Sequence, residues 1–252
     1  MKISIDHQEI EVNPGDTILE AARKNGIHIP TLCYHEAYGG QGMCRMCMVE
    51  VKNGPATRMV ASCTYPIYEA IEVETSTPAI EKIRKNIVAL LYRSSPSSEF
   101  MEKMYRQYHG GESDELQYSS DFKDRCILCR LCVKACEEIG TSAISAIYRG
   151  TDKRISTPFD EASATCIGCA ACAQICPAGA IDIFQSDTER IIWNKTFTRV
   201  KCERCGEPFA TREQLDYIAA RTGIEGYEAR LCEDCRKKNM AVKIIEASGE
   251  GS

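Results

Sequence analysis

Histidine is scarce in this sequence, four residues in 252, and neither sign of charge dominates it. Lys plus Arg number 31 against 36 Asp plus Glu, a formal net charge of −5 spread evenly along the chain. Phosphate binding draws on a basic face, so this balance argues against nucleic acid as the partner. Long apolar runs are missing as well. Residues 162–181 form a chargeless stretch of 20, long enough for a bilayer, but they contain four cysteines, Gln174, Pro177 and two glycines. That composition reads as a ligand-bearing loop, and no membrane span is expected. The first residues, Met1-Lys2-Ile3-Ser4-Ile5-Asp6-His7, show neither an apolar signal core nor twin arginine, which points to the cytoplasm. No dinucleotide-binding fingerprint, phosphate loop, flavin motif, Ni–Fe site or nucleophile–base set is visible. What the chain has instead is cysteine, 16 residues or about one in sixteen. A reducing compartment makes these thiols ligands rather than disulfides.

The sequence predicts an α+β chain of four parts. Residues 1–78 are expected to be rich in β-structure. Alternation at residues 2–6 and 9–12 gives two strands, and Thr17 with Glu20 forms a capping box for a helix over 18–24. Residues 46–52 and 57–62 flank Asn53-Gly54-Pro55 as a hairpin, and a last strand falls at 70–75. Residues 79–118 form a helical linker. Ile80, Ile83, Ile87, Leu90 and Leu91 recur at helical spacing, Glu81 can pair with Lys85, and Ser94-Ser95-Pro96 ends the helix. A second helix begins near Ser97 and carries Phe100, Met101, Met104, Tyr105 and Tyr108 as a packing stripe, with His109 at its surface end. Residues 119–190 hold an internal repeat. Residues 191–252 carry two Cys-x2-Cys pairs, a helix over 212–221 and a polar tail.

The repeat is the strongest signal. Cys126-x2-Cys129-x2-Cys132-x3-Cys136 recurs 40 residues later as Cys166-x2-Cys169-x2-Cys172-x3-Cys176-Pro177. Two-residue gaps let one tight loop present three thiolates to a cubane, while the fourth cysteine is aimed at the other cluster in two-cluster ferredoxins. The expected ligand sets for two [4Fe–4S] clusters are Cys126, Cys129, Cys132 and Cys176, and Cys166, Cys169, Cys172 and Cys136. Cys33-x10-Cys44-x2-Cys47-x15-Cys63 is a different arrangement. Its first gap is longer than the plant-type spacing and bears Tyr38-Gly39-Gly40-Gln41-Gly42, whose glycines let backbone approach a cluster closely. It reads as a [2Fe–2S] set.

The residues Ile29-Pro30-Thr31-Leu32-Cys33-Tyr34-His35 and Met43-Cys44-Arg45-Met46-Cys47-Met48-Val49-Glu50-Val51 carry a resemblance. So do Arg125-Cys126-Ile127-Leu128-Cys129, Thr157-Pro158-Phe159-Asp160 and Cys166-Ile167-Gly168-Cys169. Over residues 1–187 the chain resembles the N-terminal region of the complex I large iron–sulfur subunit and of iron-only hydrogenases. It is similar also to the small diaphorase subunit of NAD-reducing nickel–iron hydrogenases and formate dehydrogenases. The resemblance implies a β-grasp [2Fe–2S] ferredoxin-like domain followed by a double-cubane ferredoxin domain. It also implies a role as electron relay between a flavin- and NAD(P)-binding iron–sulfur subunit and a hydrogenase or formate dehydrogenase catalytic subunit, with ferredoxin as a further partner and electron bifurcation as one mode. Many relatives hold an additional cubane on one histidine and three cysteines. No cysteine occurs here from Thr64 to Arg125, so that cluster is expected to be missing, as are a hydrogen-activating cluster and a pterin domain.

Cys202-x2-Cys205-Gly206 and Cys232-x2-Cys235, 26 residues apart, suit tetrahedral zinc in a ribbon-like module. The gap exceeds that of simple ribbons, and a third cubane or a redox dithiol stays open. Lys201-Cys202-Glu203-Arg204-Cys205-Gly206-Glu207-Pro208-Phe209 also resembles the tail of a ferredoxin-like subunit of formate hydrogenlyase. Arg236-Lys237-Lys238 reads as a solvated helix end. All 16 cysteines divide into four sets of four and leave none for chemistry, so the chain is expected to be a non-catalytic electron-transfer subunit. A succinate dehydrogenase-like iron–sulfur subunit is the nearest alternative, disfavoured by the gap after Cys33. An Fe–S sensor or nucleic-acid-binding regulator is opposed by the charge balance.

Overall fold

The computed structural model describes residues 1–110, 125–223, 226 and 228–249. The module boundary expected between residues 118 and 119 lies outside them. Two compact units divide the chain. One comprises residues 1–134, 148–154 and 175–180, the other residues 135–147, 155–174 and 181–252. This division differs from the four parts read in the sequence, because each unit takes one portion of the cysteine repeat.

In the first unit, β1 (Lys2–Ile5) and β2 (Gln8–Glu11) form a hairpin closed by Asp6 and His7, both at positive φ. Helix α1 (Ile18–Lys24) starts at Thr17. The Thr17 hydroxyl accepts the Glu20 N–H at 3.2 Å, and the Glu20 carboxylate accepts the Thr17 N–H at 2.8 Å, completing the capping box. A short ladder joins β3 (Tyr34–His35) to β4 (Gly39–Gly40). Strands β5 (Met48–Asn53) and β6 (Ala56–Ala61) turn at Gly54 and Pro55, with Gly54 at φ 60°, and β7 (Glu72–Glu74) completes the sheet. The strand order is β2-β1-β7-β5-β6, with β1 and β7 parallel and the other pairs antiparallel. Alternation puts Ile3, Ile5, Val49, Val51 and Val73 on the inner face, where they meet Ile18, Leu19, Ala21 and Ala22 of α1. Each large aliphatic buried there is worth about 1.5–3 kcal/mol.

Helix α2 (Pro78–Ser94) is capped by Thr77 and opens on proline, whose missing N–H costs nothing in the first turn. Glu81 pairs with Arg84 at 2.8 Å, not with Lys85 as the sequence suggested. The reason is burial: Arg84 is 4% exposed and locked by backbone carbonyls, whereas Lys85 faces solvent. Helix α3 (Glu99–His109) is capped by Ser98 and ends at Gly110 in the left-handed conformation. Its stripe packs as expected. Met101 and Tyr105 are buried, and the Tyr105 ring stacks on Tyr92 of α2 at 4.8 Å and on His109 at 4.3 Å.

Helix α4 (Leu131–Ile139) carries Cys132 and Cys136. Strand β8 (Ser145–Ile147) pairs with β9 (Arg154–Ser156), and α5 (Ala171–Gln174) is a single turn. The second unit then contains a sheet absent from the sequence reading. Its antiparallel strands, in order, are β10 (Ile183–Gln185), β11 (Glu189–Ile192), β12 (Lys195–Lys201) and β13 (Pro208–Thr211). Strand β11 runs through the boundary expected at 190/191. Helix α6 (Arg212–Thr222) follows the expected helix. Helix α7 (Glu233–Gly249) replaces most of the expected polar tail, with Arg236, Lys237 and Lys238 exposed in the first turns at its N-terminal end. No helix among the described residues is long and apolar enough to cross a membrane.

Candidate metal centres

The first set gathers where Cys47 leads into β5 and Cys63 follows β6. Cys33, Cys47 and Cys63 are buried and Cys44 is half-buried. The Sγ atoms of Cys33 and Cys44 lie 3.3 Å apart. Sharing a proton with Cys44 holds the Cys33 thiol down to about 6 against burial, assisted by the N–H groups of Cys44, Met43 and Gln41; Cys44 is pushed up by the same contact. Cys47 is likewise held at about 6 by Cys63, with the Cys63 N–H and the Ser62 hydroxyl assisting, and Cys63 rises in turn. N–H groups aimed at sulfur favour the thiolate, the form that binds iron. Gly40 makes the close approach foreseen for the glycine loop: a Cβ there would sit 2.3 Å from the Cys63 carbonyl oxygen. The residues therefore fit a thiolate-held cluster cradled by backbone.

The repeat is preserved in backbone conformation. Leu128 and Arg130 adopt φ 53° and 61°, and their counterparts 40 residues on, Gly168 and Ala170, adopt 66° and 64°. These left-handed residues turn each Cys-x2-Cys-x2-Cys segment into a tight loop. Within the first unit, burial pushes the Cys129 thiol up to about 11, opposed by the Leu131 N–H and reinforced by charge at Cys176, Cys126 and Cys33. The Ala180 N–H donates to Cys176 Sγ at 3.3 Å. Cys33 and Cys129 share a buried cluster with Leu32, Met46, Ile127 and Leu131, and Gln41 Nε2 donates to the Cys129 carbonyl at 3.3 Å. The glycine-loop site and this second site are thus adjoining.

Within the second unit, Cys136, Cys166, Cys169 and Cys172 line one cavity walled by Ile139, Ile144, Ile167, Ile192 and Trp193. Burial pushes Cys172 up to about 11, opposed by the Trp193 indole, with charge at Cys169, Cys136 and Cys166 reinforcing the rise. Cys136 Sγ receives the Ala143 N–H at 3.2 Å and meets Thr141 Oγ1 at 3.2 Å. Four thiols around one apolar cavity, with N–H donors on the sulfur, fit an iron–sulfur cluster.

The C-terminal cysteines converge as well. The Sγ atoms of Cys202, Cys205, Cys232 and Cys235 all lie within 4.8 Å of one another, and Cys205 and Cys232 are 3.7 Å apart. Cys202 and Cys205 sit in the loop joining β12 to β13, and Cys232 and Cys235 flank the start of α7. Leu231, fully buried, and Phe209 pack beneath. Burial acts to raise the Cys202 thiol, but the N–H groups of Cys232, Cys205 and Arg204 together bring it down to about 6.

Several supporting residues escaped the sequence reading. Arg84 bonds the carbonyls of Met46, Met48 and Thr75, bracing the loop that ends at Cys47. Arg190 Nη1 donates to the Gly168 carbonyl at 2.6 Å, Lys195 Nζ to that of Cys166 at 2.8 Å, and Thr211 Oγ1 to that of Ile167 at 2.5 Å. From α6, Tyr217 and Arg221 reach the Ile139 carbonyl at 2.7 and 2.9 Å. The missed signal was the alternation of Arg190, Ile192, Lys195 and Phe197 about Trp193-Asn194, a hairpin turn without glycine.

Residues 1–78 match the family model for a 2Fe-2S iron–sulfur cluster binding domain, and residues 125–180 that for a 4Fe-4S dicluster domain. Fold and sites together define an iron–sulfur electron-transfer protein. It is related to an NADH-quinone oxidoreductase subunit of Rhizobium meliloti, 31% identical over 230 residues, which cover 82% of this chain and 27% of that protein. The alpha subunit of NADPH-Fe(3+) oxidoreductase from Geobacter sulfurreducens is 29% identical over 247 residues, 89% of this chain and 28% of that protein. Among solved structures, a chain of an NAD+-reducing [NiFe]-hydrogenase in the H2-reduced state superposes with a TM-score of 0.61 at 26% identity, covering 71% of this chain and 85% of that one. The chain spans under a third of the length of these curated relatives.

Proposed function

We propose that this chain is the iron–sulfur relay of a cytoplasmic oxidoreductase complex. It would carry electrons between a flavin- and NAD(P)-binding iron–sulfur subunit and a hydrogenase or formate dehydrogenase catalytic subunit, with ferredoxin as a further partner. Cys33, Cys44, Cys47 and Cys63 hold a [2Fe–2S] cluster in this reading. Cys126, Cys129, Cys132 and Cys176 hold one [4Fe–4S] cluster, and Cys166, Cys169, Cys172 and Cys136 hold the other. Bound clusters supply one-electron chemistry, and the chain supplies their spacing, burial and hydrogen bonds. The observation that carries the proposal is the buried cluster shared by Cys33 and Cys129, which packs side chains of the proposed binuclear set against those of the proposed cubane set. The related proteins described above are named for a nicotinamide nucleotide, which supports a nicotinamide-linked partner, and the hydrogenase structure supports the other end.

For the C-terminal set we favour zinc. A ZnS4 site with bonds of about 2.3 Å spaces its sulfurs by about 3.8 Å, close to the 3.7 Å between Cys205 and Cys232. Metal analysis of the anaerobically purified chain tests these assignments together, with about 10 Fe and about one Zn expected from one binuclear and two cubane clusters plus the ribbon. About 14 Fe without Zn would reassign the tail to a third cubane. Turnover of H2, formate or NAD+ by the isolated chain with an artificial carrier would overturn the relay reading.

A further inference from the structure

Trp193 is the sole tryptophan of the chain and occupies the first position of the two-residue turn between β11 and β12. Its φ is 54°, a left-handed conformation uncommon for a bulky residue. Asn194, beside it at φ 58°, is a residue that tolerates this region, and its side chain anchors the turn by donating to the Asp160 carbonyl at 3.1 Å. The strained turn directs the indole into the cavity of Cys136, Cys166, Cys169 and Cys172, where Nε1 donates to Cys172 Sγ at 3.4 Å. Two cations from the same sheet close on the same loop: Arg190, only 6% exposed, on the Gly168 carbonyl, and Lys195 on the Cys166 carbonyl. A sheet that merely covered the loop would need neither a strained tryptophan nor a buried guanidinium.

We infer that the β11–β12 hairpin tunes this cluster, Trp193 as hydrogen-bond donor to a ligand sulfur and Arg190 and Lys195 as nearby positive charge, raising its reduction potential. Reduction adds one electron and leaves the cluster more negative. A donor on sulfur and adjacent cations therefore stabilise the reduced form more than the oxidised one. The inference rests on the proposed assignment of Cys136, Cys166, Cys169 and Cys172 to one cubane, and the experiment separates the two.

The test is an EPR-monitored redox titration of the full reconstituted chain, wild type against Trp193→Phe and Lys195→Gln, with iron counted in each sample. Cys126→Ser and Cys166→Ser identify which signal belongs to which cubane. With iron unchanged, Trp193→Phe is expected to shift the oxidised-to-reduced balance of the cubane lost in Cys166→Ser about tenfold toward oxidised, a fall of about 59 mV for one electron, and to leave the other cubane in place. Lys195→Gln is expected to move it the same way and decides the matter if Trp193→Phe fails to retain that cluster. Fluorescence gives a second reading, because emission of the only tryptophan should be quenched by assembly in Cys126→Ser and persist in Cys166→Ser. Full iron content with no shift in that cubane, or a shift confined to the other one, would overturn the tuning role. If Cys136→Ser and Cys166→Ser abolish different signals, the ligand assignment itself fails.

Discussion

Single residues decide how closely backbone can approach each candidate cluster. At Gly40 the constraint is steric and local: an added Cβ meets both the carbonyl and the Cβ of Cys63 within 2.5 Å. Gly40→Ala is therefore expected to lose the [2Fe–2S] absorbance while the cubane signals survive, as measured by iron content and EPR of the reconstituted chain. The cysteine spacings, the capping box at Thr17 and Glu20, and the glycine loop were legible in the sequence because each is a short-range pattern with one dominant geometric solution. Trp193 and Arg190 were not. Their meaning comes from a loop more than 20 residues away, and nothing in the local pattern of a Trp-Asn turn announces a partner. Glu81 was misjudged for a related reason. Spacing offered Lys85, but the carbonyls of Met46, Met48 and Thr75 had already fixed Arg84 within reach.

At the scale of elements, α2 joins the sheet to the metal loop through Arg84 rather than through apolar contact alone. Replacing this buried guanidinium takes the donor from three carbonyls, while Glu81 keeps Ser76 and solvent, so Arg84→Met is expected to cost roughly 3 kcal/mol. A urea titration followed by cluster absorbance would register the loss as a lower midpoint. The β12–β13 loop and the start of α7 meet at the four C-terminal thiols, at the small core of Leu231 and Phe209, and at Glu203, whose carboxylate pairs with Arg230 at 2.7 Å and whose N–H donates to the Arg230 carbonyl. So little apolar burial would leave most of the ordering there to the proposed metal. With zinc bound as proposed, its removal by a chelator is expected to expose the β12–β13 loop and the start of α7 to rapid hydrogen exchange while the five-stranded sheet stays protected. The five-stranded sheet was foreseen in outline because its strands alternate and its hairpin carries Asn53-Gly54. The four-stranded sheet was hidden by short strands, a bulge at Val200/Lys201 and a turn without glycine.

Across the whole chain, the cysteine repeat is distributed so that each compact unit contains a complete set of four. Cys176 belongs to the unit of Cys126, Cys129 and Cys132, and Cys136 to the unit of Cys166, Cys169 and Cys172. Cross-ligation predicts that Cys176→Ser removes the same EPR signal as Cys126→Ser, and Cys136→Ser the same signal as Cys166→Ser. Pairing by sequence order would instead match Cys136→Ser with Cys126→Ser. The chain as proposed is a relay of three clusters with no chemistry of its own, and anaerobic coulometric reduction of the purified chain with EPR spin counting puts that to the test. Uptake of about three electrons per chain is expected, one into a binuclear cluster and one into each of two cubanes. Uptake of a single electron, or EPR signals from only one cluster in a fully metallated chain, would contradict it.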